Sequence, residues 1–160
     1  MEEKTIKGIK YRFDEDNLTA EVIQKKGYAG DIIIPETVVL NKVSYRVTSI
    51  EKEAFMDCNF LTSIVIPDSV TSIGDNAFID CNSLTSIIIP DSVTSIGHGV
   101  FRRCFSLTSI VVAEGNTVYD SRKNCNALIH TATNTLIRGC QNTIIPNSVT
   151  TIGKNAFHDC

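Results

Sequence analysis

Apolar and polar positions along this chain repeat with a fixed spacing of 23. Ile50, Ile73 and Ile96 are one repeat apart, as are Phe55, Phe78 and Phe101, and Cys58, Cys81 and Cys104. Each unit opens with Leu-x-x-Ile-x-Ile, seen as Leu61, Ile64 and Ile66, then as Leu84, Ile87 and Ile89. Strand side chains alternate between faces, so these residues point inward. Ser63, Val65, Ser86, Ile88, Ser109 and Val111 then point outward. The β-branched run predicts a strand, and Pro67, Pro90 or Pro146 ends it at a corner. Val-Thr-x-Ile follows as a second short extended side. Asn-Ala-Phe-Ile-Asp-Cys is long enough for one or two helical turns, with Ala77, Phe78 and Cys81 facing inward.

Self-similarity at this period marks a solenoid, in which each coil buries its apolar side only against its neighbours. Leu61, Ile64, Ile66, Ile73, Phe78, Cys81, Leu84, Ile87, Ile89, Ile96, Phe101 and Cys104 are the predicted core ladder. The units lie near 31–58, 61–81, 84–104 and 107–160. Two departures break the period. Pro35 and Ile50 are 15 apart where Pro67 and Ile73 are 6 apart, and the extra residues read as a hairpin turning near Asn41-Lys42. Residues 116–141 form a second insert, a hairpin of 127–130 and 135–138 around Thr-Ala-Thr-Asn. Residues 1–30 supply a third hairpin, Ile9–Phe13 with Leu18–Ile23, whose expected role is to cap the first coil.

The consensus Leu-Thr-Ser-Ile-x-Ile-Pro-x-Ser-Val-Thr-Ser-Ile-Gly-x-x-Ala-Phe-x-x-Cys resembles the BspA-like, or treponemal, class of bacterial leucine-rich repeats. Asn126-Ala-Leu-Ile, Thr133-Asn-Thr-Leu-Ile-Arg-Gly-Cys140 and Tyr28-Ala-Gly-Asp-Ile-Ile-Ile-Pro35 carry the same resemblance, which spans residues 28–160. It implies a β-rich leucine-rich-repeat solenoid with a parallel strand ladder. It also implies surface display, adhesion and protein binding, and it brings no catalytic residues.

Composition agrees with a globular fold: 42% of the 160 residues are hydrophobic and 21% charged. A formal charge of −3 gives no basic field for nucleic acid or anionic membrane. No apolar run reaches the ~18 residues of a membrane span, and Met-Glu-Glu-Lys lacks the apolar core of a signal peptide. A cell-surface or secreted location therefore rests on the resemblance alone, with a cytoplasmic scaffold as the alternative. The missing strand after Cys160 suggests a fragment of a longer protein.

Cysteine is the one residue type that suggests chemistry. Cys58, Cys81, Cys104 and Cys160 share a repeat position, and a column along the axis cannot converge on one metal ion as four tetrahedral ligands must. They read as small buried hydrophobes. Cys125 and Cys140 lie outside that column. If the insert hairpin turns between Ala132 and Thr133 they face each other and can form a disulfide, which a one-residue register shift removes. Ser and Asp recur as copies of the repeat rather than as members of a mutually oriented Ser/His/Asp triad, and no phosphate-binding glycine loop is present. His98 and His158 fall at variable, exposed positions, and His130 lies beside a hairpin turn.

The chain is expected to use no metal and no cofactor, and not to be an enzyme. The outward column of Ile33, Val65, Ile88, Val111 and Ile144, flanked by Ser63, Ser86 and Ser109, is the candidate partner-binding face. Its partner is a host or matrix protein, or a glycan; nucleic acid and membrane insertion are not expected. The alternative is a structural spacer or self-associating element, with recognition elsewhere in a longer chain.

Overall fold

The structure, a computed structural model, describes residues 1–158, so Cys160 lies outside the described residues. Among the described residues the regular structure is nearly all β, in fifteen short strands joined by turns, with one 3-10 turn at Arg122–Asn124. The N-terminal strands β1 (Glu3–Ile6), β2 (Ile9–Asp14) and β3 (Thr19–Val22) form an antiparallel meander. β1 was not foreseen, because Glu-Lys-Thr-Ile has no clear alternation. β3 then pairs in parallel with β6 (Val43–Ile50), which joins the meander to the first coil. Beneath that joint Phe13 and Tyr45 pack edge to face, ring centroids 4.9 Å apart.

Each coil contributes one strand to each of two walls. On the first wall β4 (Ala29–Ile33) pairs in parallel with β7 (Phe60–Val65), and β9 (Ser86–Ile89) pairs in parallel with β11 (Ser109–Val112). On the second, β6, β8 (Ser72–Ile73) and β10 (Ser95–Ile96) run parallel. The first expected insert is a hairpin of β5 (Thr37–Leu40) with β6, closed by Asn41 and Lys42 at φ of 51° and 68°. Positive φ at both central positions matches the right-handed twist of the flanking strands.

The predicted helical turn does not form. Asn-Ala-Phe-Ile-Asp-Cys folds as hydrogen-bonded turns with two left-handed residues, Asn76 (φ 53°) and Asp80 (φ 62°), which rule out a continuing helix. The same backbone recurs at Glu53 and Asp57, at Gly99 and Arg103, and at Asn155. Asn, Asp and Gly predominate there because they tolerate this region best. Gly74 and Gly97 serve a different purpose. A β-carbon at either would overlap the backbone of the preceding coil, at Lys52 and Asp75 respectively, so glycine lets the coils close to stacking distance.

The core ladder is observed nearly as expected. Eleven of the twelve named residues are buried, and Ile96 alone is half-buried. Its strand β10 is the last of its wall, and the Tyr119 hydroxyl, not another strand, accepts its N–H at 3.0 Å. Tyr28, Phe55, Phe78 and Phe101 form an aromatic stack with successive centroids 4.7, 5.1 and 5.6 Å apart. The second insert holds β12 (Tyr119–Asp120), β13 (Ala127–His130) and β14 (Thr135–Gly139), and β14 pairs in parallel with β15 (Thr151–Ile152).

Candidate binding surfaces

Strand register decides which outward residues meet. Ile33 lies opposite Val65 and Ile88 opposite Val111, and β9 packs beside β7, so these four form one aliphatic column. All four are exposed, from 42% at Val111 to 71% at Ile33. Crowding by neighbouring strands therefore does not shield them. Ile144 is also exposed, but it does not adjoin Val111. Its N–H donates to the Cys125 carbonyl at 3.0 Å, and β11 packs on the insert strands β12 and β13, so the insert separates Ile144 from the column.

Ser63, Ser86 and Ser109 edge the column as expected, with Ser109 opposite Ser86. Asp31 heads this row opposite Ser63 and accepts from Ser63 Oγ at 2.7 Å and Thr62 Oγ1 at 2.8 Å. These two donors hold its carboxyl below the usual aspartate range. Phe60, 76% exposed on β7, was not anticipated as part of this face. Its signal was present: the equivalent positions one and two repeats later hold Ser83 and Ser106.

The cysteines sit differently from the sequence reading at one position. Cys58, Cys81 and Cys104 are buried and free, each with its carbonyl accepting the N–H three residues on (Leu61, Leu84 and Leu107). Cys140 belongs to the same column, since Thr143 N–H donates to its carbonyl in the same way. Cys125 and Cys140 do not face each other. A bulge between Leu128 and Ile129 shifts the pairing so that Ala127 opposes Gly139, and the Cys140 thiol points to the Asn126 carbonyl at 3.2 Å. Both thiols are free and buried. Burial pushes the Cys58 thiol up to about 11 and the Cys125 thiol upward, while a hydrogen bond with Cys104, reinforced by burial, raises Cys81.

The histidines are dispersed. His98 and His158 are exposed, and the half-buried His130 packs its ring edge-on against Tyr119 and meets Thr133 Oγ1 at 3.1 Å. Among the described residues no helix is long and apolar enough to cross a membrane.

A 23-residue coil, parallel strands on two walls and an aliphatic-aromatic ladder between them define a leucine-rich-repeat solenoid. The chain belongs to the BspA-type leucine-rich repeat family, whose model matches residues 34–160 in six copies. It is similar to the structure of a leucine-rich repeat protein from Bacteroides ovatus ATCC 8483, with 31% identity and a TM-score of 0.72. That match covers 96% of this chain but 38% of the other. Two further structures share the fold. One is a leucine-rich repeat protein from Bacteroides capillosus ATCC 29799 (20% identity, 69% of this chain and 98% of that one, TM-score 0.53). The other is the T. pallidum leucine rich repeat protein (18% identity, 99% and 89%, TM-score 0.52). No curated protein matches the chain. Neither the family nor these bacterial neighbours indicates a catalytic function.

Proposed function

We propose that the chain is a non-enzymatic binding module of a secreted or cell-surface bacterial protein, which takes a host or matrix protein, or a glycan, on its first strand wall. The observation that supports this most is the exposed aliphatic column Ile33, Val65, Ile88 and Val111, held in register and edged by hydroxyls. A contiguous apolar patch with a polar rim is what a partner surface requires. The parallel ladder fixes these side chains before contact, which keeps the ordering cost of binding low. Membership of the BspA-type family agrees with an interaction role.

The test is the double substitution Val65→Lys/Ile88→Lys, read against immobilised extracellular-matrix proteins and a glycan array. Binding at least tenfold weaker, with an unchanged thermal melt, is expected. Wild-type affinity in the double variant would remove this wall as the site. Sedimentation of both proteins covers the spacer reading. A wild-type dimer that Ile88→Lys dissociates would make the column a self-assembly surface instead.

A further inference from the structure

The turns that close successive coils form a ladder of their own. Glu53, Phe55 and Asp57 donate their N–H groups to the carbonyls of Asp75, Ala77 and Ile79. Asn76, Phe78 and Asp80 donate likewise to His98, Val100 and Arg102. In the next layer the inserted hairpin takes over, and Gly139 N–H donates to Ala156 O as Phe55 does to Ala77. Gly139 thus holds the place of the stacking phenylalanine. Cys140, however, follows it directly, whereas Phe101 and Cys104 are three apart. The insert passes through this layer without building a full turn.

The shortfall leaves a notch of about 510 Å³ in the turn wall, between the turn that carries His98 and Arg102 and the one that carries Lys154 and Asn155. Among the described residues four cationic side chains line it, Lys52, Arg102, Arg138 and Lys154, against one carboxylate, Asp75. Asp75 Oδ1 already accepts the His98 N–H at 2.7 Å, and Lys52 also meets Glu53 outside the lining at 3.6 Å. This positive concentration sits on a chain whose formal charge is −3.

Arg138 gives the notch its character. It is 7% exposed, and among the described residues its guanidinium is held by neutral carbonyls: Phe101 at 2.9 Å, His158 at 2.8 Å and Asn155 at 3.4 Å. Its Nε is buried with no partner among the described residues. A cation removed from water calls for a paired anion, because carbonyl dipoles replace only part of its hydration. None of the described carboxylates supplies one.

We propose that the notch binds a tetrahedral oxyanion, sulfate or phosphate, held by Lys52 and Lys154 over Arg138. The site lies on the turn wall and is independent of the aliphatic column. A single oxyanion is small enough for the space, and the cationic side chains of the lining suit an anionic group rather than a neutral ligand.

Titration of the 160-residue chain with sodium sulfate and sodium phosphate at constant ionic strength, followed by amide NMR, tests the proposal. Saturable shifts at His98, Gly99, Lys154 and Asn155, absent with chloride, are expected. Lys52→Glu/Lys154→Glu should weaken binding at least tenfold without lowering the melting temperature. Lys42→Glu/Lys123→Glu, with the same change in net charge at exposed sites elsewhere, should leave it unchanged. A sulfated oligosaccharide that binds more tightly than its desulfated form, and than free sulfate, identifies the group as glycan-borne; equal affinity for free sulfate and the oligosaccharide identifies the free anion. Non-saturable shifts, or equal losses in both double variants, overturn the proposal.

Discussion

The Ser63 hydroxyl donates to Asp31 Oδ1 across 2.7 Å, tying the first two strands of the wall together beside the exposed Ile33–Val65 pair. Thr62 Oγ1 reaches the same oxygen at 2.8 Å. The bond sits where β4 slips register between Gly30 and Asp31, so a side-chain bridge spans the irregularity in the backbone pairing. Ser86 and Ser109 continue the row on later strands.

This bridge sets a pH dependence. Ser63 first, and then Thr62, hold the Asp31 carboxyl below its ordinary value of 3.8. A folded-state value below the unfolded one means the carboxylate favours the folded state. That contribution is complete above about pH 4 and is lost as pH falls through the depressed value. Carboxyl-carbon NMR should show Asp31 titrating below 3.8, and Ser63→Ala should move it back up. An unchanged midpoint in Ser63→Ala would detach the shift from the bridge.

Close stacking makes the coil glycines the most sensitive small residues. A β-carbon at Gly74 would overlap the Lys52 backbone, and one at Gly97 would overlap the backbone of Asp75 and Gly74. At Gly153 the nearest atom, Leu136 O, stands at 3.0 Å. Gly74→Ala and Gly97→Ala should each cost about 1–3 kcal/mol, the usual range for overpacking, and Gly153→Ala less. Urea midpoints measured on the three variants check the order. Equal midpoints would mean the coils accommodate the methyl by shifting apart.

Much of this architecture was legible because the repeat states it several times over. Ile87 and Ile89 are placed by alternation within a strand, and the period places Leu84 with them in each coil. The turn was misread because Ala77 and Phe78 satisfy a helical spacing. Only the residues on either side of them, Asn76 and Asp80, signal the left-handed backbone that ends each turn. The outward column was readable as far as Val111, where register follows from the period. It failed at Ile144, since nothing in the alternation reveals that the insert passes between the two. Arg138 falls in a legible strand, but nothing in the pattern marks it as buried. Its burial depends on Gly139 replacing a phenylalanine one layer below Phe157, a long-range coincidence.

The buried thiols yield the last prediction. Cys58, Cys81, Cys104, Cys125 and Cys140 are each no more than 3% exposed. Burial pushes Cys58 to about 11 and raises Cys125, and a hydrogen bond with Cys104 together with burial raises Cys81, so at pH 8 these three stay largely as unreactive thiols. A thiol reagent applied to native protein should therefore leave all five unlabelled in peptide maps over the time in which unfolded protein reacts fully. The bulge at Leu128–Ile129 adds a second outcome. Because it places Cys140 against the Asn126 carbonyl rather than opposite Cys125, a strong reductant should leave the intact mass unchanged. Rapid labelling of Cys125 would contradict its burial. A mass gain of two hydrogens, mapped to the peptides carrying Cys125 and Cys140, would restore the cross-strand disulfide and require the hairpin to pair without its bulge.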